Sequence, residues 1–382
     1  MTSPRGAGDL PSVLHINTEP TWRGGESQVF YLINGLRSAG HRVSVAALPG
    51  SALAARCREG GFEVLEMRMA GDLDLAAASR LARHARRERF DILHAHTARA
   101  HALGLLARHL GAPQRLVVAR RLDFPISGNL FGRLKYRSRR VDLFLAVAGI
   151  IGDILAQAGV PREKIRVVHS SIDLGRFEPS RAGRVEIGSQ VRRELGLPLD
   201  APVVGNVAHL AGHKAQCDLI AALPHLLRQL PAAHLVIVGD GAERSALEAQ
   251  TRALGLEQRV HFTGFRTDVP RLLTAFDAFA ISSRLEGFCN SVLEAFAVGV
   301  PVAATRAGGL PEMVLDGTTG LLTPVEDPPA LSAAITRLLL NRPLARRLTE
   351  AARRLVESEY TVERMVEKTR QAYAEIRPAA PA

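Results

Sequence analysis

The sequence predicts an α/β protein of two doubly wound halves, each a parallel sheet covered by helices. Three observations predict it. Short apolar runs alternate with longer helical patterns from one end of the chain to the other, the signature of repeated βαβ units. The rhythm breaks once, over residues 178–200, where Pro179, Gly183, Gly188 and Pro198 fall among many charges. The 382 residues are 47% hydrophobic but only 5% aromatic, so two aliphatic cores of the kind parallel sheets bury are expected.

The elements follow in order. Residues 13–16 (Val-Leu-His-Ile) read as the first strand, and residues 26–38 as a helix ended by Gly40. Strands follow at 42–48, 91–94, 143–147 and 165–168. Residues 178–200 read as an interdomain connection. The alternation then restarts with strands at 202–207, 235–238, 260–263, 278–281 and 302–304, and the tail from 327 to 376 is helical. This divides the chain into an N-terminal domain (1–177), the connection (178–200) and a C-terminal domain (201–359). A last helix (360–377) is expected to pack back on the first domain. Ligands of doubly wound sheets bind at the carboxyl ends of strands, so residues just after strands are the candidates.

Composition narrows the function. The net charge of +11 suits an anionic partner. Residues 80–140 hold fifteen Lys and Arg against Glu88, Asp91 and Asp123, essentially the whole excess. An anionic membrane surface is the first partner this charge suggests, and an anionic acceptor such as a phosphorylated or lipid-linked glycan the second. Nucleic acid is not expected, since no helix-turn-helix, zinc finger or aromatic-interleaved motif occurs. Cys57, Cys217 and Cys289 are odd in number and widely spaced, which indicates neither a disulfide framework nor a zinc site and fits a reducing cytoplasm. The N-terminus shows no signal-peptide pattern, and no run of 18 apolar residues could span a bilayer. The expected location is cytoplasmic, peripheral on the inner face of the plasma membrane.

The strongest local signal is Glu286-Gly287-Phe288-Cys289-Asn290-Ser291-Val292-Leu293-Glu294, between a strand and a helix. Glu286 falls in the loop and Glu294 about one turn into the helix. The N–H groups near Asn290 and Ser291 form a helix N-terminus suited to phosphate. In the first half, Arg23-Gly24-Gly25-Glu26 follows strand one, where glycines let the backbone approach a ligand. His96 lies at a strand's carboxyl end, placed to bond a sugar hydroxyl or tune a leaving phosphate, whereas His94 reads as structural. Trp22, the single tryptophan, could stack on an acceptor ring or simply pack. Asp72-Leu73-Asp74 has the spacing of a metal motif but sits at a helix start, so no metal site is expected.

These pieces resemble glycosyltransferase family 4 of the GT-B fold along nearly the whole chain. The resemblance rests on Gly24-Gly25, His94-Ala95-His96, Gly239-Asp240-Gly241, Val260-His261-Phe262-Thr263-Gly264, the Glu286…Glu294 pair as the family's E-x7-E motif, and Gly308-Gly309-Leu310-Pro311-Glu312. It implies two Rossmann-like domains facing a central cleft and retaining transfer of a sugar from a nucleoside diphosphate sugar, with no cofactor. It implies catalytic roles for Glu286 and Lys214, which join His96 as the catalytic candidates. Glu286 would meet the donor sugar and steady oxocarbenium charge, and Lys214 would meet the diphosphate. Glu294 would bond the donor ribose. Gly25, Asn206, His209, Gly287, Phe288, Asn290 and Ser291 complete the implied donor site, and Arg23, Gly24 and Gly25 the acceptor side. The implied setting is bacterial envelope polysaccharide or lipopolysaccharide synthesis. Two departures stand out. Where the family has Gly-Arg-Leu and then Lys-Gly, this chain has Ala208-His209-Leu210 and Lys214-Ala215, so an imidazole replaces a guanidinium. Asn206 and His213 could compensate. Ser170-Ser171-Ile172-Asp173 stands where Asn-Gly-Val-Asp is usual. The alternative readings are a sugar-nucleotide epimerase of the same architecture and a non-catalytic, membrane-bound scaffold.

Overall fold

The computed structural model describes residues 10–124, 126 and 130–376. The reading of the extreme N-terminus, residues 1–9, and the end of the last expected helix lie outside these. The chain forms two compact units, one ending at Ser171 and regaining the chain from Val362, the other running from Ile172 to Thr361.

The first unit alternates β1 (Val13–Ile16), α1 (Gly24–Ser38), β2 (Val43–Ala47), α2 (Ala52–Glu59), β3 (Glu63–Glu66), α3 (Leu75–Arg87), β4 (Ile92–Ala95), α4 (Ala98–His109), β5 (Arg115–Arg120), α5 (Leu130–Arg137), β6 (Leu143–Ala146), α6 (Gly149–Gln157) and β7 (Ile165–Val167). Its seven strands are all parallel, in the order β3-β2-β1-β4-β5-β6-β7. The winding reverses between β1 and β4, so the loops leaving those two strands diverge and leave a crevice at their carboxyl ends. β1 and β4 are buried along their whole length, which explains their continuous apolar or histidine-bearing character.

The second unit holds α7 (Leu174–Ala182), α8 (Arg184–Glu194), β8 (Val203–Val207), α9 (Gln216–Leu227), β9 (His234–Val238), α10 (Arg244–Ala253), β10 (Val260–Gly264), α11 (Val269–Leu273), β11 (Ala278–Ile281), α12 (Asn290–Val298), β12 (Val302–Thr305), α13 (Leu310–Met313), β13 (Leu321–Thr323), α14 (Pro328–Leu340) and α15 (Arg342–Glu359). Its parallel sheet runs β10-β9-β8-β11-β12-β13, with the reversal between β8 and β11. The final helix, α16 (Val362–Glu375), belongs to the first unit and buries Met365, Val366 and Tyr373 against it. Gly35 on α1 makes room for it, because a Cβ there would lie 2.3 Å from Val366 Cγ2.

The structure corrects three local expectations. Residues 178–200 are not a free connection, since α7 and α8 occupy most of the stretch within the second unit. Arg184 anchors them by donating to the carbonyls of Phe276 (2.9 Å) and Gly299. The charges that suggested a linker include the solvent faces of these helices. Gly24 and Gly25 do not precede α1 but open it, and Glu26 accepts the Arg23 N–H at 3.2 Å. Strands β3, β5 and the three-residue β13 went unread. β3 is a short, half-exposed edge strand of sequence Glu-Val-Leu-Glu, and β5 carries arginines at both ends that mask its apolar run.

Candidate active site

The reversal point of the second sheet gathers the residues that can do chemistry. Asn206 is buried on β8, and its Nδ2 donates to the Ala280 carbonyl on β11 at 2.8 Å, tying the two strands where the crevice opens. The loop after β8 then folds against the loop after β9. Leu210 N–H donates to the Asp240 carbonyl at 3.0 Å, and Glu243 N–H to the Leu210 carbonyl at 3.2 Å. Gly239 and Gly241 are required there, because a Cβ at Gly239 would sit 1.9 Å from the Ala208 carbonyl oxygen and one at Gly241 2.2 Å from that of Leu210. Gly239 also has a φ of +139°.

On its other side the same loop joins the loop after β11. Arg284 N–H donates to the His213 carbonyl at 2.8 Å, and Ser282 Oγ to the Lys214 carbonyl at 3.1 Å. This places Lys214 Nζ 2.5 Å from Glu286 Oε2. The Ser283 hydroxyl donates to the same oxygen at 3.2 Å. Glu286 is buried, and its backbone carbonyl accepts the Gly309 N–H at 2.8 Å, which gives the Gly308-Gly309 motif its role as a brace. Ala215 adopts the left-handed conformation (φ +50°) where the family carries glycine. An L-residue there costs roughly 1–2 kcal/mol, which accounts for the family's preference.

α12 begins at Asn290, so its first N–H groups lie immediately after the Glu286 loop. Glu294 sits on its fifth position, where burial drives the carboxyl up to about 7, opposed by the field of Arg176. Phe288 is buried and meets the Tyr360 ring edge-on at 5.4 Å. Cys289 stands just before α12 without capping it by its side chain, and its Sγ lies 3.3 Å from Ser291 Oγ. His209 is exposed, and its carbonyl accepts from the buried Gln216 at 3.2 Å.

In the first unit, Arg23, Gly24 and Gly25 stand at the start of α1, the helix that follows β1, and His96 directly follows β4. His96 is buried, and its Nε2 lies 2.8 Å from Nδ1 of His15 on β1. His94 Nδ1 lies 2.7 Å from the Tyr373 hydroxyl, so His94 is structural as read. Burial lowers the basicity of all three rings, His15 to about 3. Their nitrogens fall within 4.8 Å of one another, a metal-ligand spacing, although three of them already bond each other or Tyr373. Trp22 packs edge-on to Phe30 at 6.0 Å, with the Arg56 guanidinium 4.1 Å above its ring. Asp74 caps α3 through Ala77 N–H at 2.9 Å, as its place at a helix start implied.

Sequence reasoning missed His15, Ser283 and Arg121. His15 is hidden inside a strand that reads as core. Ser283 carries no motif beyond its place at a strand end. Arg121 was counted only as part of a basic run, and that run is not one surface. Lys135 is buried, donating to the Ala98 carbonyl at 3.2 Å, and Arg108 and Arg115 pair with Asp142.

Two Rossmann-like sheets, with their polar residues at the carboxyl ends beside each reversal point, make this a doubly wound α/β protein of the kind that binds ligands at its strand ends. Residues 22–176 match the model for Glycosyltransferase Family 4, and residues 189–355 that for Glycosyl transferases group 1. The chain is 30% identical over 348 residues to the lipopolysaccharide core biosynthesis glycosyltransferase LpsE of Rhizobium meliloti, covering 89% of this chain and 93% of that protein. It is 29% identical over 310 residues to N-acetyl-alpha-D-glucosaminyl L-malate synthase of Bacillus anthracis, covering 79% of each. Among solved structures, Anabaena Alr3699/HepE in complex with UDP and glucose shares the fold, with a TM-score of 0.83 at 24% identity over 96% of this chain and 100% of that one. The chain belongs to glycosyltransferase family 4. No helix among the described residues is long and apolar enough to cross a membrane.

Proposed function

We propose that this enzyme moves a sugar, with retention, from a nucleoside diphosphate sugar to a glycan or lipid-linked acceptor of the bacterial envelope, without a metal ion. The observation that carries the reading is the Lys214–Glu286 pair, 2.5 Å apart at the reversal point of the second sheet and followed directly by the N-terminus of α12. An ammonium beside a helix N-terminus suits a diphosphate, whose charge grows as the bond from the anomeric carbon to the phosphate oxygen breaks. A buried carboxylate next to it suits the positive charge left on the sugar. Glu294 on the same helix takes the ribose, and Gly287, Phe288, Asn290 and Ser291 line the donor. His209 contributes less to phosphate binding than an arginine would, being a single imidazole at an exposed position. Arg23, Gly24, Gly25 and His96 serve the acceptor side in the first unit. The complex named for the Anabaena structure supports a nucleotide-sugar donor, and the name of the Rhizobium relative supports an envelope glycan. The exposed arginines of α3 and of residues 133–140 supply a surface for anionic lipid at the inner membrane face.

The test is Glu286→Gln. Acceptor-dependent release of nucleoside diphosphate falls by roughly 100-fold or more, the scale of one electrostatic stabiliser, while donor affinity stays nearly unchanged. A variant keeping more than about a tenth of wild-type turnover removes Glu286 from this role.

A further inference from the structure

The carboxyl end of the first sheet holds a cation that no carboxylate pairs with among the described residues. Arg121 directly follows β5. Most of its surface is covered, and its Nε makes no hydrogen bond. No hydrogen bond or ion pair joins its guanidinium to any carboxylate among the described residues. Its neighbours are engaged. Arg120 donates from Nη1 to the Tyr136 hydroxyl at 2.6 Å and from Nη2 to the Phe124 carbonyl. Lys135 donates to the Ala98 carbonyl and lies 3.7 Å from Asp72. The one carboxylate whose field acts on Arg121 is Glu26, and Glu26 already accepts from Arg23 N–H at 3.2 Å and the Asn17 amide at 3.4 Å.

Two histidines and a glycine also lie close to Arg121. His94 and His96 lie close enough to feel the charge of Arg121, and burial holds the basicity of both rings well below the usual imidazole range. Gly25 leaves space over the side chain, since a Cβ there would have only Arg121 Cδ within reach, at 4.0 Å. Covering a cation without pairing it costs several kcal/mol. A fold that keeps one beside an opening at a strand's carboxyl end holds it for a ligand.

We propose that Arg121 anchors a carboxylate or phosphate group of the acceptor, so that this transferase glycosylates an acidic or phosphorylated molecule. The proposal rests on the reading above, in which the donor diphosphate is met by Lys214 and α12 in the second unit. A guanidinium presents a planar fork that matches either oxyanion with two parallel hydrogen bonds. Gly25 admits the group, and His96 lies next to it at the same crevice, where the acceptor hydroxyl would enter.

The test uses the full chain saturated with UDP, titrated by calorimetry with inorganic phosphate and, separately, with malonate. The expected result is that at least one of the two binds the wild type, which also tells phosphate from carboxylate. Arg121→Gln should weaken that binding at least tenfold, and Arg121→Lys should restore part of it. UDP affinity should stay within twofold in both variants. Arg121→Gln should also melt no lower than the wild type, because it removes an unpaired covered charge. Failure of both anions to bind the wild type, or binding untouched by Arg121→Gln, overturns the proposal. Loss of UDP affinity in Arg121→Gln would move the anion to the donor and overturn it too. A lower melting temperature in that variant would make the guanidinium structural. Absence of UDP binding in the wild type would strike the donor reading instead, with the anion titrations repeated on the free chain.

Discussion

Lys214→Ala tests whether the lysine–glutamate pair is a buried, mutually dependent unit. The pair is 2.5 Å long, with 19% of the Lys214 side chain and 8% of the Glu286 side chain exposed. Removing one partner of a buried pair costs about 3–5 kcal/mol, because the other charge is left without compensation. Here the remaining partner of Glu286 would include the Ser283 hydroxyl at 3.2 Å. Solvent reaches part of the lysine, so the expected loss lies near the lower end, about 3 kcal/mol. Glu286→Gln should cost less, about 1 kcal/mol, since its amide can still meet Ser283 and the ammonium can turn to water. The double variant should then be more stable than the sum of the single losses predicts, by roughly 2 kcal/mol of coupling. The single tryptophan, Trp22, lies in the first unit and is silent on this event. Hydrogen exchange of the α12 amides is the suitable readout. Losses that add without coupling, or a Lys214→Ala cost below about 1 kcal/mol, would refute the argument and make this a solvent-screened contact.

Four further outcomes are expected. Glu294 has a carboxyl raised from 4.5 to about 7 by burial, so between those values the folded chain holds a proton that the unfolded chain has lost. Stability from this group is therefore present below 4.5 and lost as pH rises through 7, and Glu294→Gln should flatten that slope in melting curves of the second unit. His15 and His101 behave oppositely, being lowered to about 3 by burial, and the first unit should lose about 1 kcal/mol for each between pH 7 and 5.5. Calorimetry on His101→Phe, which removes one of the two, would show no smaller acid loss if this is wrong. Turnover should survive EDTA, and loss restored by manganese or magnesium would contradict the leaving-group role of Lys214. Co-sedimentation with anionic vesicles should fall steeply with salt, and replacing the exposed Arg133, Arg137, Arg139 and Arg140 by glutamine should weaken it without changing UDP affinity. Binding insensitive to salt would point to apolar insertion instead.

The double α/β architecture was legible because strand and helix periods are local. Residues 13–16 and 278–281 read as strands from their apolar runs alone, and both are buried strands in the sheets. Elements escaped where the local signal is weak or masked, as in the polar edge strand β3 and the arginine-flanked β5. The break at 178–200 misled for the same reason, since proline, glycine and charge mark the solvent side of a short helix as readily as a linker. Pro179 lies inside α7 itself.

The sequence by itself determined the parts whose chemistry is written in consecutive residues. These are the E-x7-E pair and the Gly239-Asp240-Gly241 turn, each fixed by spacing along one loop or helix. Only the tertiary structure decided which distant groups meet. Lys214 and Glu286 are 72 residues apart, and His15 and His96 are 81 apart. They come together because β8 neighbours β11 and β1 neighbours β4, a strand order that depends on long-range packing rather than on any local pattern. The same packing separates one arginine of a basic run from the others. Its neighbour found a tyrosine, Lys135 a carbonyl, and Arg121 was left covered beside Gly25 with no carboxylate paired to it among the described residues, a distinction that no count of charges along the chain contains.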